Sequence, residues 1–266
     1  MSEYYVAENL QDHYFDALKH FDDKNIVGLW LQGSQNYGLA TENSDVDTKL
    51  LVTPTLHDLA SNKKPVSTTF IRENNEHIDF KDVREYIQLF RKQNLNFVEI
   101  LFTEYYVLNT PYAFQWERLI ANRERIARMN PLRCIHSMAG IAAQKYHAME
   151  KPFESKKEIL AVYGYDPKQL HHLVRITDFM ARYIQGELYE KCMTPNDIEW
   201  HLRIKKGYYN LEEARDLANR SMRNIDSMKE YCNRIMVDEE DTEMVELLQD
   251  VQYEIIKTSL MMEVNK

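Results

Sequence analysis

Two carboxylates, Asp45 and Asp47, stand one residue apart where a polar turn enters the apolar run of "SDVDTKLLV". Side chains on a strand alternate between faces, so a pair spaced i, i+2 points the same way. Two strand steps put their Cα atoms roughly 6.5–7 Å apart. Carboxylates converging from that spacing suit a pair of divalent ions about 4 Å apart. Val46, Leu50 and Val52 then face the opposite side and anchor the strand in a core. Upstream lies Gly33-Ser34. Glycine allows close approach of backbone to a phosphate, and exposed N–H groups with a hydroxyl bind phosphate oxygens. A phosphate cradle beside two metal-binding carboxylates is equipment for phosphoryl-type transfer from a nucleotide.

A third carboxylate on a neighbouring strand usually completes such a site. Asp79, an acid between apolar residues in "HIDFK", is the candidate, with Glu76 in reserve. A solvated turn is the plainer alternative for the pair, since Asn, Ser and Asp favour turns. The alternate spacing of Asn43, Asp45 and Asp47 also suits a calcium loop, but Thr48 and Pro54 occupy the positions that need glycine and glutamate.

The elements around these residues follow from periodicity. Tyr5, Val6, Leu10, Tyr14, Leu18 and Phe21 recur at helical intervals over 3–22. "NIVGLWLQ" (25–32) and "VDTKLLV" (46–52) read as strands flanking the turn, and "PVSTTFIR" and "EHIDFK" as two more, joined by a hairpin turn at Glu73–Asn75. Asp82 with Glu85 three residues on predicts a helix start, "NFVEILF" a short helix and "YYVL" a last strand. Beyond Pro111 the spacing predicts helices near 111–128, 131–150, 167–185, 211–236 and 241–263, with Pro131, Pro167 and Pro195 at helix starts and Gly186 as a stop. The expected fold class is α+β: a small mixed-sheet domain over residues 1–110, followed by an all-helical domain over 111–266.

A length of 266 residues with 42 acidic and 33 basic side chains is ample for a core, and the net charge of −9 argues against a surface built for non-specific nucleic-acid binding. The three cysteines form no CxxC pair, which disfavours zinc and suits a reducing cytosol. The acidic opening lacks the apolar stretch of a signal peptide and no run is long enough to span a bilayer, so a cytoplasmic protein is expected. Arg118, Arg123, Arg125, Arg128 and Arg133 read first as a solvated helix face and second as a stripe that tracks phosphates. His171 and His172 are adjacent, so one of them is expected to be ordinary surface.

Gly-Ser, ten residues, then Asp-x-Asp at a strand start resembles the DNA polymerase beta superfamily of nucleotidyltransferases. The fuller "GSQNYGLATENSDVDTK" resembles a narrower group, the RNA-repair-associated polymerase-beta-like nucleotidyltransferases. "VREYIQLFRKQNLNFVEILF" is similar to that family's post-strand helix and its Asn-Pro-x-x-x-Glu-x-Leu segment, with Leu95 in place of proline. "YDPKQLHHLVRITDFMARYIQGEL" is similar to its Lys-x-x-x-His-x-x-Arg-Leu helix, with Ile176 in place of leucine. The resemblance implies magnesium (or manganese) held by Asp45, Asp47 and Asp79. It also implies a nucleoside triphosphate bound by Gly33 and Ser34, and by Lys168, His172 and Arg175, which share a helical face. The implied reaction moves a nucleoside monophosphate to an acceptor hydroxyl. An RNA end is the first expectation for the acceptor. A protein or small molecule is the alternative, and a non-catalytic nucleotide-binding scaffold is a further one.

Overall fold

A computed structural model describes residues 3–42 and 44–265, with side chains omitted for residues 3–5 and 155. Asn43, weighed above in a calcium loop, and the side chain of Tyr5 lie outside that description. Chain order begins with α1 (Glu3–Ala17), β1 (Ile26–Gln32), β2 (Asp47–Val52), α2 (Leu56–Ala60), β3 (Ser67–Ile71) and β4 (His77–Asp82). Next come α3 (Val83–Arg91), α4 (Leu95–Val98), β5 (Tyr106–Leu108), α5 (Ala113–Ala121) and α6 (Arg123–Ala127). The helices α7 (Pro131–Ala148), α8 (Lys157–Tyr163), α9 (Pro167–Ile184), α10 (Tyr189–Met193), α11 (Ile198–Lys205), α12 (Leu211–Ile235) and α13 (Thr242–Val264) follow.

The five strands form one mixed sheet in the order β3-β4-β2-β1-β5, with β2 and β4 parallel and every other pairing antiparallel. The fold class is therefore α+β, as the strand and helix patterns indicated. One sheet face is apolar. Ile26, Leu29, Leu31, Val46, Leu50, Val52, Ile78 and Phe80 pack there with Val6 and Leu10 of α1. Burial of such side chains is worth about 1.5–3 kcal/mol each, which pins the register of β2.

The chain divides into two compact units: residues up to Met129 together with Glu240 onward, and Asn130–Glu239. The expected division fell at 110/111, so α5, α6 and the last helix differ from it. The reason for the last is visible in unit one. Ser259 of α13 is fully buried, and its hydroxyl lies 2.6 Å from Thr53 Oγ1 and accepts from Asn25 Nδ2 at 3.2 Å. A helix end with a small residue thus docks on the far end of β2, a contact invisible to local periodicity. In unit two, α7, α10, α11 and α12 all pack on α9.

Local signals hold in detail. The Asp82 carboxylate caps α3 by accepting from Arg84 N, and Pro131 and Pro167 open α7 and α9. Gly186 takes a φ of 86° beyond α9, and Glu187 N donates to Arg182 O. Two details depart. The helix expected over 111–128 breaks at Asn122 into α5 and α6, and α11 starts after Asp197, whose side chain caps it, rather than at Pro195.

Candidate active site

Strand register assembles the first part of the site. Gln32, the last residue of β1, pairs with Asp47, the first of β2. Gly33 and Ser34 therefore leave the sheet at the edge where Asp45 enters it. Gly33 has φ 85° and ψ −154°, a region that glycine alone adopts readily. No atom lies within 4 Å of where a Cβ would stand, so the space over it is open. The turn after it is held by Asn36, whose amide donates to Leu31 O at 3.1 Å and accepts from Thr103 Oγ1 at 2.7 Å. Among the described residues the half-buried Ser34 hydroxyl has no hydrogen-bond partner. Gly33→Ala is expected to destabilise the protein by about 1–3 kcal/mol through backbone strain alone. A lower urea midpoint at unchanged m-value is the readout, and an unshifted midpoint contradicts the strained turn.

Asp45 is exposed and Asp47 is partly buried. Asp47 Oδ1 accepts from the backbone N–H of His77 at 3.0 Å and lies 3.3 Å from His77 Nδ1. Parallel pairing sets Lys49 beside Asp79, so Asp47, Lys49, Asp79 and Lys81 share one face. Asp79 is thus on the acids' side of the sheet, two residues further in than the mouth. Its carboxylate is engaged there: Lys49 Nζ donates to Oδ2 at 3.2 Å, Thr69 Oγ1 donates to Oδ1 at 3.4 Å, and Lys81 Nζ lies 3.6 Å away. Lys49 is 3% exposed, with its ammonium 4.2 Å from the centre of the Phe97 ring. Burial pulls its pKa down, against the opposing charge of Asp79. An ammonium at that depth needs a counter-charge. Among the described residues no three His, Cys, Asp or Glu side chains gather to hold one ion, so Asp79 shares a face with Asp45 and Asp47 without clustering with them.

Glu76, the reserve acid, sits in a different network. It accepts from Val46 N at 3.3 Å, from Arg72 and Asn74 at 2.7 Å each, and meets His13 Nε2 at 3.0 Å. His13 is fully buried and its Nδ1 lies 2.8 Å from Thr48 Oγ1. Burial opposes the Glu76 carboxylate, but the bonds from His13, Asn74 and Arg72 outweigh it and hold the pKa below the usual range. Glu76 is then an acceptor only, so His13 Nε2–H donates to it and Nδ1 accepts from Thr48. The network braces the backbone between Asp45 and Asp47. His13→Ala is expected to cost about 2–3 kcal/mol, the value of a hydrogen bond to a charged group plus a small cavity. Equal urea midpoints for variant and wild type would contradict this.

The motif residues of unit two lie on α9. Lys168 is exposed, His172 half-buried and Arg175 buried, with Arg175 Nη1 donating to Met193 O at 3.5 Å. His171 is buried as well, so neither histidine is ordinary surface. α9 is covered on several sides, which leaves no free flank for adjacent residues. The arginine run is largely ion-paired. Arg118 meets Asp250 at 2.6 Å, Arg125 meets Asp241 and Glu243 at 2.7 Å, and Arg133 lies 3.6 Å from Asp238. A cavity of about 270 Å³ lined by Thr53, Thr55 and Arg84 lies at the opposite end of β2 from the acids.

Over residues 8–211 the chain matches the RNA repair pathway DNA polymerase beta family. The chain belongs to that family. Nucleotidyl transfer is accordingly the general chemistry of this polymerase beta-like nucleotidyltransferase. Among solved structures it is similar to a nucleotidyltransferase-like protein from Exiguobacterium sibiricum 255-15, at 8% identity over 85% of this chain and 75% of the other. The TM-score of 0.29 is too low for that likeness to bear on the site. No curated protein matches the chain. No helix among the described residues is long and apolar enough to cross a membrane.

Sequence reasoning missed two neighbours of the acids in this family member, His77 and Lys49. Both had a signal. Lys49 follows Asp47 at i+2 and so shares its face, and His77 precedes Asp79 by two in the adjoining strand. Family members generally use divalent metals. Magnesium is commonly held by one or two carboxylates, with phosphate oxygens and water filling its other positions. The oxygen-only pair Asp45 and Asp47, beside the open space over Gly33, fits such an ion.

Proposed function

We propose that the protein transfers a nucleoside monophosphate from a nucleoside triphosphate to an acceptor hydroxyl, with pyrophosphate leaving. The observation that carries this reading is the pairing of Gln32 with Asp47, which sets the Gly33-Ser34 turn beside the two acids at one sheet edge. Asp45 and Asp47 would hold magnesium (or manganese), which when bound neutralises the triphosphate and lowers the pKa of the attacking hydroxyl. The Gly33 turn lets phosphate oxygens approach the backbone, and the Ser34 hydroxyl donates to one of them. His77 N–H holds Asp47 by Oδ1, which leaves Oδ2 for the cation. Asp79 contributes through Lys49: it balances the buried ammonium and so keeps the acidic mouth from being neutralised by that lysine.

The acceptor in this reading is an RNA end, supported by the RNA-repair description of the family. The test is incubation with labelled nucleoside triphosphates, magnesium and an RNA pool. Label is expected on RNA 3′ ends with wild type and not with Asp45→Ala/Asp47→Ala. Equal labelling by both proteins overturns the assignment of the acids. Label on protein or on a small molecule, with RNA unlabelled, overturns the acceptor.

A further inference from the structure

Unit two holds a concentration of positive charge that its own carboxylates do not balance. Asp166 N donates to Met149 O at 2.7 Å, which fixes the start of α9 against the end of α7. Lys145 stands one turn before Met149 on α7, and Lys168, His172 and Arg175 climb α9 from the same junction. Lys156, from the segment between the two helices, reaches Asp166 Oδ2 at 2.6 Å. Asp166 is already committed. Its Oδ1 accepts from the backbone N–H groups of Lys168 and Gln169, and its Oδ2 belongs to Lys156. Among the described residues neither Lys145 nor Lys168 makes an ion pair.

A second observation is independent of charge. His171 and His201 are 2% and 1% exposed, and their rings stand 5.4 Å apart, with His172 5.6 Å from His171. His171 Nε2 and His201 Nδ1 are buried without a hydrogen-bond partner. Buried polar atoms are normally satisfied, and each exception asks for a ligand, a water or a functional reason. The half-buried Lys145 registers the crowding. Its pKa is lowered by burial first, then by the positive charges of Lys156 and Lys168, with Asp166 alone opposing. Folding does not ordinarily gather like charges in this way unless an anion completes the arrangement.

We propose that Lys145, Lys168, His172 and Arg175 form a phosphate-binding site within the helical unit, and that it grips the polyphosphate of a nucleotide. Lysine ammonium groups serve as point charges for phosphate oxygens, and a guanidinium adds directional donors. The cluster stands on its own observations. Only the choice of a nucleotide as the source of the phosphate rests on the transferase reading.

The test is equilibrium binding of inorganic tripolyphosphate to the full chain without divalent metal, with a short single-stranded RNA as a parallel arm. Wild type and Asp45→Asn/Asp47→Asn are expected to bind tripolyphosphate, the latter no more weakly. Lys145→Ser/Lys168→Ser is expected to bind it at least about tenfold more weakly, the value of a single lost charge-assisted contact. Arg223→Ser, on the exposed side of α12, serves as the charge control and is expected to match wild type. The double lysine variant is expected to melt no lower than wild type without ligand, because it relieves like-charge repulsion, and to lose the ligand-induced rise in Tm. Tripolyphosphate binding that is absent from wild type, or unchanged in the lysine variant, overturns the proposal. So does weakening of RNA binding alone. Failure of the transferase reading shows separately, as labelling that survives loss of the two aspartates.

Discussion

Asp47→Asn is expected to lower the rate of nucleotidyl transfer by about 10²–10³-fold, the scale on which one preorganised electrostatic group acts at a reacting phosphate. The substitution is nearly isosteric. The amide oxygen still accepts from His77 N–H, so the strand entry and the turn keep their places. What disappears is one negative charge at the mouth, half of what the pair offers a divalent cation. The loss should therefore come with an unchanged urea midpoint, and raised magnesium should recover part of it. Single-turnover incorporation of labelled nucleotide is the measurement. A variant that retains wild-type rates at low magnesium would remove Asp47 from the chemistry.

Acidification from about pH 7.5 to 5 is expected to destabilise the protein by about 4 kcal/mol through two histidines. Burial, reinforced by Arg175, pushes His171 down to about 2 and His201 down to about 4. Both are neutral in the folded chain at neutral pH. Below pH 6.5 the unfolded chain takes up protons that the folded chain refuses, so stability is full above 6.5 and falls as pH drops. The fall continues until each folded pKa is reached. Between pH 6.5 and 5 each ring contributes about 2 kcal/mol, at about 1.4 kcal/mol per pH unit. His172 is lowered in the same direction by burial and Arg175. Urea unfolding at the two pH values reads the difference, and His171→Gln/His201→Gln should flatten most of it. Equal stability at both values would mean that these rings are not held neutral by burial.

The opposite behaviours of the two sites come from where their charges lie. At the sheet edge, acids stand at the surface, and the nearby cation Lys49 is buried and matched by Asp79. On α9, cations crowd around buried imidazoles, and the available carboxylate is spent on the helix cap. An acidic mouth suits a metal ion and a cationic cluster suits phosphate. Both are needed for a metal–triphosphate complex.

The sequence by itself determined most elements and the chemistry at the sheet edge. Period-two runs marked all five strands, and the six helices α3, α7, α9, α12, α13 and α1 appeared where apolar spacing and Asp, Asn or Pro starts placed them. Those signals are local: alternation, caps and turns act within a few residues, so one stretch of chain contains them. Gly33-Ser34 and Asp45-x-Asp47 were legible for the same reason, since both belong to one strand–turn–strand passage. The tertiary structure alone decided partners distant in sequence. Lys49 claiming Asp79, His13 claiming Glu76, Ser259 of the last helix settling on Thr53 and Lys145 joining the face of α9 all depend on strand register or helix packing. Such pairings follow from the burial of whole faces against one another, a condition that no single window of residues expresses.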